Sequence, residues 1–303
     1  MLMTTLALTA LIQDLPENLE AHVRKLAGAN PPRNFENVKS LDASADYIRS
    51  QFQSYGLKTE DQTFEANKGS VYRNILTSVG PVDAPRIVIG AHYDVCEDQP
   101  GADDNASGVA GMLEAARILQ MNSKNLKNRI DFVAYTLEEP PFFTTRKMGS
   151  YVHAKSLHDA KADVRMMISV EMIGYYSDEP DSQRYPLPFM KLFFPDQGNF
   201  IALIGNLVEF AAVRDVRSIF TKHSSVPMVT FNAPAFIEGL SDSDHRNYRK
   251  FGYDALMLTN TGYMRTPHYH LPSDTPETLN YLKMAEVVKG FVAYLEHWAM
   301  EAK

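Results

Sequence analysis

Two periods of apolar residues run along this chain, and the places where one gives way to the other outline its elements. In "PENLEAHVRKLAG", Leu19, Val23 and Leu26 recur at helical spacing and Gly28 stands near the end. In "SLDASADYIRSQFQSYG", Ala45, Ile48 and Phe52 share one face, with Gly56 placed as a C-cap. The next stretches, "KTEDQTFEA" and "VYRNILTSV", alternate apolar with polar as half-buried strands do. Four short apolar runs follow: "RIVIGA", "IDFVAYTL", "RMMISVEM" and "YDALMLTN". Runs of that length, rich in Val, Ile, Met or Phe, fit strands buried on both faces of a sheet. Helical patterns over Ser107–Gln120, Met148–His158 and Asn199–Val213 separate several of them, and Thr278–Trp298 predicts a last helix.

This alternation predicts the α/β class: a three-layer αβα domain with a mixed, mainly parallel central sheet. No Pro/Gly/Ser-rich linker divides the chain. Residues 1–40 read as an N-terminal helical segment packed on a domain that covers 41–303, and the Pro-rich Glu179–Pro195 reads as an excursion over the surface. In open α/β sheets, ligands bind at the carboxyl ends of the strands. The polar clusters of this chain fall at those ends. "RIVIGA" runs into His92 and Asp94, "IDFVAYTL" into Glu138 and Glu139, and "RMMISV" into Glu171. After "YDALMLTN" come His268, His270 and Asp274.

Composition narrows the function. The formal net charge of −7 argues against a nucleic-acid partner, which is met by a basic surface. The single cysteine, Cys96, excludes an intrachain disulfide, which suits the cytoplasm without requiring it. No run reaches the roughly 18 apolar residues of a membrane span. The apolar opening "MLMTTLALTALIQDL" has no Lys or Arg before it and makes a poor signal peptide. It would fit export to the periplasm or beyond if it is the trimmed end of a precursor, and the cytoplasm otherwise. Oligomeric state is not legible.

Taken singly, each cluster has a bland explanation. A lone His after a strand is commonly a hydrogen-bonded structural residue, "EE" pairs are commonly solvated, and Asp103, Asn105 and Ser107 suit the cap of the helix that follows. Four clusters at four strand ends are better explained by metal. Imidazole with carboxylate suits zinc, and two zinc ions about 3.5–4 Å apart need a bridging carboxylate. A workable set is His92 and Glu171 on one ion, Glu139 and His270 on the other, and Asp104 between them. Glu138 is then free to act as a base. Asp94 is placed to accept the other N–H of His92 and fix its tautomer.

"HYD", "GADDNASG", "EE", "EMIG" and "YHLPSDT", in that order, resemble the zinc aminopeptidases of peptidase family M28, whose domain is the zinc-exopeptidase, phosphorylase/hydrolase-like fold. "MGSYVHA" and "SDH" at Ser243–His245 also resemble family motifs, and the resemblance covers roughly Leu41 to Tyr281. It implies that His92, Asp104, Glu139, Glu171 and His270 are the metal ligands, with two Zn2+ per chain. It implies that Glu138 is the general base acting on a water shared by the metals, and that Tyr269 polarises the substrate carbonyl. The implied activity is removal of N-terminal amino acids from peptides with a free N-terminus. His268 competes with His270, and "YHxxxDT" favours His270.

Two departures stand out. Glu171 occupies a position where the family's aminopeptidases usually have Asp, and the stretch "EEPPFFTTRKMGS" is longer than usual. Phe142, Phe143, Thr144, Thr145 and Arg146 are therefore expected to line the substrate pocket, while Phe189, Phe193, Phe194 and Phe236 suit either pocket or core. Cys96 reads as a small hydrophobe or loop residue. The alternatives are a single-zinc acyltransferase like the glutaminyl cyclases, a non-catalytic module of the same fold, and a carboxypeptidase of the related two-zinc families. The sole tryptophan, Trp298, is expected on the C-terminal helix, away from any active site.

Overall fold

A computed structural model describes residues 14–234, 237 and 241–301. The opening apolar segment up to residue 13, and Phe236, lie outside these. Eight strands form one sheet in the order β1-β2-β4-β3-β5-β8-β6-β7. They are β1 (Thr59–Glu65), β2 (Val71–Val79), β3 (Arg86–His92), β4 (Arg129–Tyr135), β5 (Val164–Glu171), β6 (Ile201–Gly205), β7 (Met228–Asn232) and β8 (Ala255–Thr259). The centre, β4-β3-β5-β8, is parallel throughout; β1 with β2, β2 with β4, and β6 with β8 are antiparallel.

Strand periodicity builds the layers. Ile87, Ile89 and Ala91 of β3 enter the main core, while Val88 points to the opposite face beside Val133 and Met167. The main core is closed by α1 (Leu15–Ala27), α2 (Val38–Ser54), α3 (Gly108–Met121), α5 (Phe210–His223) and α7 (Tyr281–Met300). The opposite face is covered by α4 (Gly149–Asp159) and α6 (His245–Arg249), through Ala154, Leu157 and Tyr248. Gly90 is needed in β3 because a Cβ there would lie 2.2 Å from the ring of Tyr135.

One expected helix is wrong in kind. Asn199–Val213 was read as helical, but Ile201–Gly205 is strand β6, and the helix that follows is Phe210–His223. Ile201, Ala202, Leu203 and Ile204 are all buried. A continuous apolar run of that length satisfies either period. Asn206 ends the ambiguity: its side chain accepts from Val208 N–H while Glu209 returns a bond to its own N–H, a capping box. The edge strand β7, with only its first residue fully buried, carried too little apolar signal to be read.

The N-terminal segment is welded to the site loops by Arg33. This guanidinium is 1% exposed and, among the described residues, has no carboxylate bound to it. It donates instead to the carbonyls of Leu26, Tyr93, Pro100 and Gly101, and so staples the end of α1 to the loop between β3 and α3. Burial pushes it down to about 10, yet it keeps its charge at neutral pH, helped by Asp274 and Asp104. Arg33→Met is expected to cost at least about 3 kcal/mol, because several buried carbonyls lose their donor at once. Chemical denaturation checks this; a loss under about 1 kcal/mol would show that water satisfies the carbonyls instead.

Candidate metal centre

Four parallel strands deliver their ends to one place. His92 is the last residue of β3 and Glu171 the last of β5. Glu138 and Glu139 follow β4, His270 comes from the loop after β8, and Asp104 lies in the irregular turn Ala102–Ser107 before α3. His92 Nε2 lies 3.3 Å from Asp104 Oδ1, 3.4 Å from Glu171 Oε1 and 3.9 Å from Glu138 Oε2. His270 Nε2 lies 3.2 Å from Asp104 Oδ2 and 3.3 Å from Glu139 Oε2. Asp104 therefore turns one oxygen to each histidine. Possible ligand atoms of His92, Asp104 and Glu171 fall within 4.8 Å of one another, as do those of Cys96, Glu139 and His270.

The loops hold one another through carboxylates. Asp94 accepts the backbone N–H groups of Glu138 and Glu139, both at 3.1 Å. Asp274 accepts those of Asp103 and Asp104 at 2.9 and 3.0 Å. Asp103 accepts from Gly174 N–H and from Asn260 Nδ2, each at 2.8 Å. Glu171 Oε2 accepts from Ser243 Oγ at 2.7 Å. Glu138, Glu139, Asp104 and Glu171 are thus each fixed by a group from a different loop, which is how such side chains keep their geometry.

The charge balance is lopsided. Asp94, Asp103, Asp104, Glu138, Glu139, Glu171, Asp244 and Asp274 are all buried, and Arg33 and Arg265 are buried permanent cations beside them. Burial, with Asp104 alongside, pushes Glu139 up to about 7. Burial likewise pushes Asp244 and Asp274 up to about 7, and Glu138 well above the usual carboxylate range. Burial opposes ionisation of Asp104 too, but His270 and His92 outweigh it and hold its carboxyl below the usual range. Burial alone would lower both imidazoles; the surrounding carboxylates raise them instead.

Several of these polar atoms, though near charged groups, make no well-formed hydrogen bond. His92 Nδ1, Glu139 Oε1, His270 Nε2 and both oxygens of Asp244 are buried without a hydrogen bond among the described residues. Such groups cost stability unless something else satisfies them. A divalent cation fits: the donor set is imidazole and carboxylate, and the missing element is positive charge.

Some expectations change. Asp94 Oδ1 lies 3.6 Å from His92 Nδ1, and the two Asp94 oxygens also accept from the Glu138 and Glu139 N–H groups. His268 is not in the cluster; its Nδ1 is 3.0 Å from Ser273 Oγ and its ring meets Tyr175 edge-on. Tyr269 stacks on His270 with ring centroids 3.8 Å apart. The stretch after Glu139 does not line the pocket beside the cluster. Phe142 packs on Phe35 and Tyr72, and the Arg246 guanidinium sits over Phe143. Phe189 and Phe193 are exposed, while Phe194 packs on Tyr185 and Phe231. Cys96 was not foreseen as a member of the cluster, and Arg33 gave no sequence signal, because its contacts are made across loops.

Beside Glu171 and Tyr269 opens a mostly apolar pocket of about 120 Å3. Its walls include Ile204, Phe231 and Met257 from the sheet, and Tyr185, Leu187 and Met190 from the Pro-rich excursion. Asp242 stands among the lining residues as a charged group.

Comparison with known proteins is consistent with this picture. The profile of peptidase family M28 matches residues 74–295. "Uncharacterized protein YfbL" of Escherichia coli K12 is 45% identical over 288 residues, which are 92% of this chain and 87% of that protein. Leucine aminopeptidase 1 of Blastomyces gilchristii is 27% identical over 228 residues; the match takes in 71% of this chain but spans only about half, 53%, of that relative. Among solved structures, LapB of Legionella pneumophila superposes with a TM-score of 0.76 at 22% identity, over 97% of this chain and 75% of its own. A glutaminyl cyclase of Bacteroides thetaiotaomicron bound to N-acetylhistamine superposes with a TM-score of 0.71 at 17% identity, over 95% of this chain and 98% of its own. At these identities the structural likeness establishes the three-layer α/β fold.

The titration of the cluster sets how stability depends on pH. A carboxyl whose pKa is higher in the fold than in the unfolded chain holds its proton more tightly when folded, so ionising it costs stability. For Glu139, Asp244 and Asp274 that loss runs from about pH 4 to about pH 7. The raised imidazoles extend it upward from their ordinary value of 6.5, and Asp104, depressed, acts only below the window. Chelator-treated protein is therefore expected to show a falling Tm between about pH 5 and 8. Added zinc should raise Tm more at the alkaline end. A metal-free Tm that is flat or rising over that range would contradict the charge balance described.

Proposed function

The chain belongs to peptidase family M28, and on that premise we propose that it is a zinc aminopeptidase with a dinuclear centre. The observation that carries the reading is Asp104, which turns one carboxylate oxygen to each of two imidazole–carboxylate half-sites. His92 and Glu171 would hold one ion, Glu139 and His270 the other, with Asp104 bridging. Zinc bound there would supply Lewis acidity toward the scissile carbonyl and a more acidic water.

The chain's own groups do the rest. Glu138 is buried and pushed well above the usual carboxylate range by that burial and by Glu139 and Glu171. A carboxylate tuned upward suits proton transfer near neutral pH. In this reading its carboxylate takes the proton from the attacking water and passes it to the leaving amine. The Tyr269 hydroxyl donates to the oxyanion as it develops. Glu138 and Glu171 are the nearest carboxylates for the substrate's free α-amine. The neighbouring pocket would receive the side chain of the N-terminal residue. Its apolar walls favour a Leu or Met over a charged side chain, by about tenfold or more against Ala.

Glu138→Ala is expected to keep its zinc and lose about 100-fold or more in kcat on a leucyl amide substrate. Near-full turnover would remove Glu138 from the base role. Loss of zinc along with activity would make it a ligand instead. Filling the pocket with Met257→Trp should lower kcat/KM for leucyl more than for alanyl substrates; an equal loss for both would place the side chain elsewhere.

A second reading has one observation behind it. The chain matches a glutaminyl cyclase along nearly its whole length, so single-zinc acyl transfer is the rival chemistry. Against it, Trp298 lies on α7 and faces the main core, so no indole lines the pocket. A peptide beginning with Gln separates the two: release of free Gln supports the peptidase, and cyclisation without hydrolysis supports the rival.

A further inference from the structure

We propose that the Cys96 thiolate is a ligand of the metal held by Glu139 and His270, which makes that half-site a sulfur, nitrogen and oxygen centre. The inference rests on the zinc reading above and adds a donor to it. The expectation for Cys96 was a small buried hydrophobe. It is buried, but it belongs to none of the three apolar clusters of the fold. Its sulfur instead lies within 4.8 Å of both a Glu139 oxygen and a His270 ring nitrogen.

What these atoms face is itself short of partners. Glu139 is 5% exposed, and its Oε1 has no hydrogen bond among the described residues. His270 Nε2 is in the same condition. Zinc binds thiolate at about 2.3 Å, imidazole at about 2.0–2.1 Å and carboxylate at about 2.0–2.2 Å, in a tetrahedron. That geometry separates sulfur from the nitrogen and oxygen donors by roughly 3.6 Å. The 3.3 Å between His270 and Glu139 is already close to the matching nitrogen–oxygen separation, and the sulfur, within 4.8 Å of both, needs to close by at most about 1.2 Å to reach its own.

The loop that carries the thiol is pinned. Val95 N–H donates to Arg33 O at 3.3 Å, and Asn34 Nδ2 donates to Glu97 O at 2.7 Å. The residues on both sides of Cys96 are thus tied to the N-terminal segment. On binding, the S–H bond breaks, the sulfur–metal bond forms and the proton leaves to solvent, with no change of oxidation state. A soft donor of this kind favours zinc, cobalt or cadmium over magnesium and manganese.

Cobalt(II) tests this directly, since a thiolate on cobalt gives a near-ultraviolet charge-transfer band. Cys96 is the sole cysteine of the chain, so a band of that kind in the wild-type protein can come from nowhere else. The full-length, chelator-stripped protein is titrated with Co2+ while absorbance and bound metal are both followed. We expect the band to grow with one equivalent, to be bleached by zinc, and to be absent from Cys96→Ala. Two bound cobalts without the band would overturn the thiolate and leave the dinuclear reading standing. One bound cobalt with the band would do the reverse. Failure to bind cobalt at all would overturn both.

Discussion

Repulsion among carboxylates is the constraint on which the rest of this structure turns. Eight buried acidic groups converge where four parallel strands end, with few buried cations, Arg33 and Arg265 among them, to offset them. No arrangement of neutral side chains could make that favourable at neutral pH, since an unpaired buried charge neutralises or finds a counter-ion. Burial pushes Glu138, Glu139, Asp244 and Asp274 up, toward the protonated form, which is one way out. Metal ions are the other way out, and they also give the unpartnered nitrogen and oxygen atoms something to bind.

The same charges do structural work. Asp94 fastens the Glu138–Glu139 turn, Asp274 fastens the Asp103–Asp104 turn, and Asp103 fastens Gly174 beyond β5. Asp94 and Asp274 thus organise the backbone of acidic residues that face the centre. Arg33 completes the ring from outside the sheet, since it holds the loop between β3 and α3 by its carbonyls. A fold built in this way ties stability to occupancy: what prepares the site for a cation also weakens the protein without one.

Much of this was legible before any coordinates. The short apolar runs gave β3, β4, β5 and β8, because strands buried on both faces leave little else in the sequence. The rule that ligands gather at strand ends then picked out His92, Glu138, Glu139, Glu171 and His270. Two kinds of information were not there to be read. β6 carries an apolar run too short to separate strand from helix, and the edge strand β7 carries almost none. Contacts between loops were hidden as well. The pocket walls come from the Pro-rich excursion and the sheet rather than from the long stretch after Glu139. The backbone bonds that Asp94 accepts from the Glu138–Glu139 turn, besides facing His92, join segments far apart in sequence. Cys96 meets His270 across a separation in sequence that no local pattern spans.

Zinc content per chain tests the account most directly. Protein purified without chelator and re-equilibrated with trace zinc is analysed for metal and for protein by independent methods. The account predicts about two zinc ions per chain, one for each half-site that Asp104 joins. A value near one would contradict the bridged centre and return Glu171 to a purely structural role. A value near zero would leave the buried acidic cluster without the cation on which this account depends.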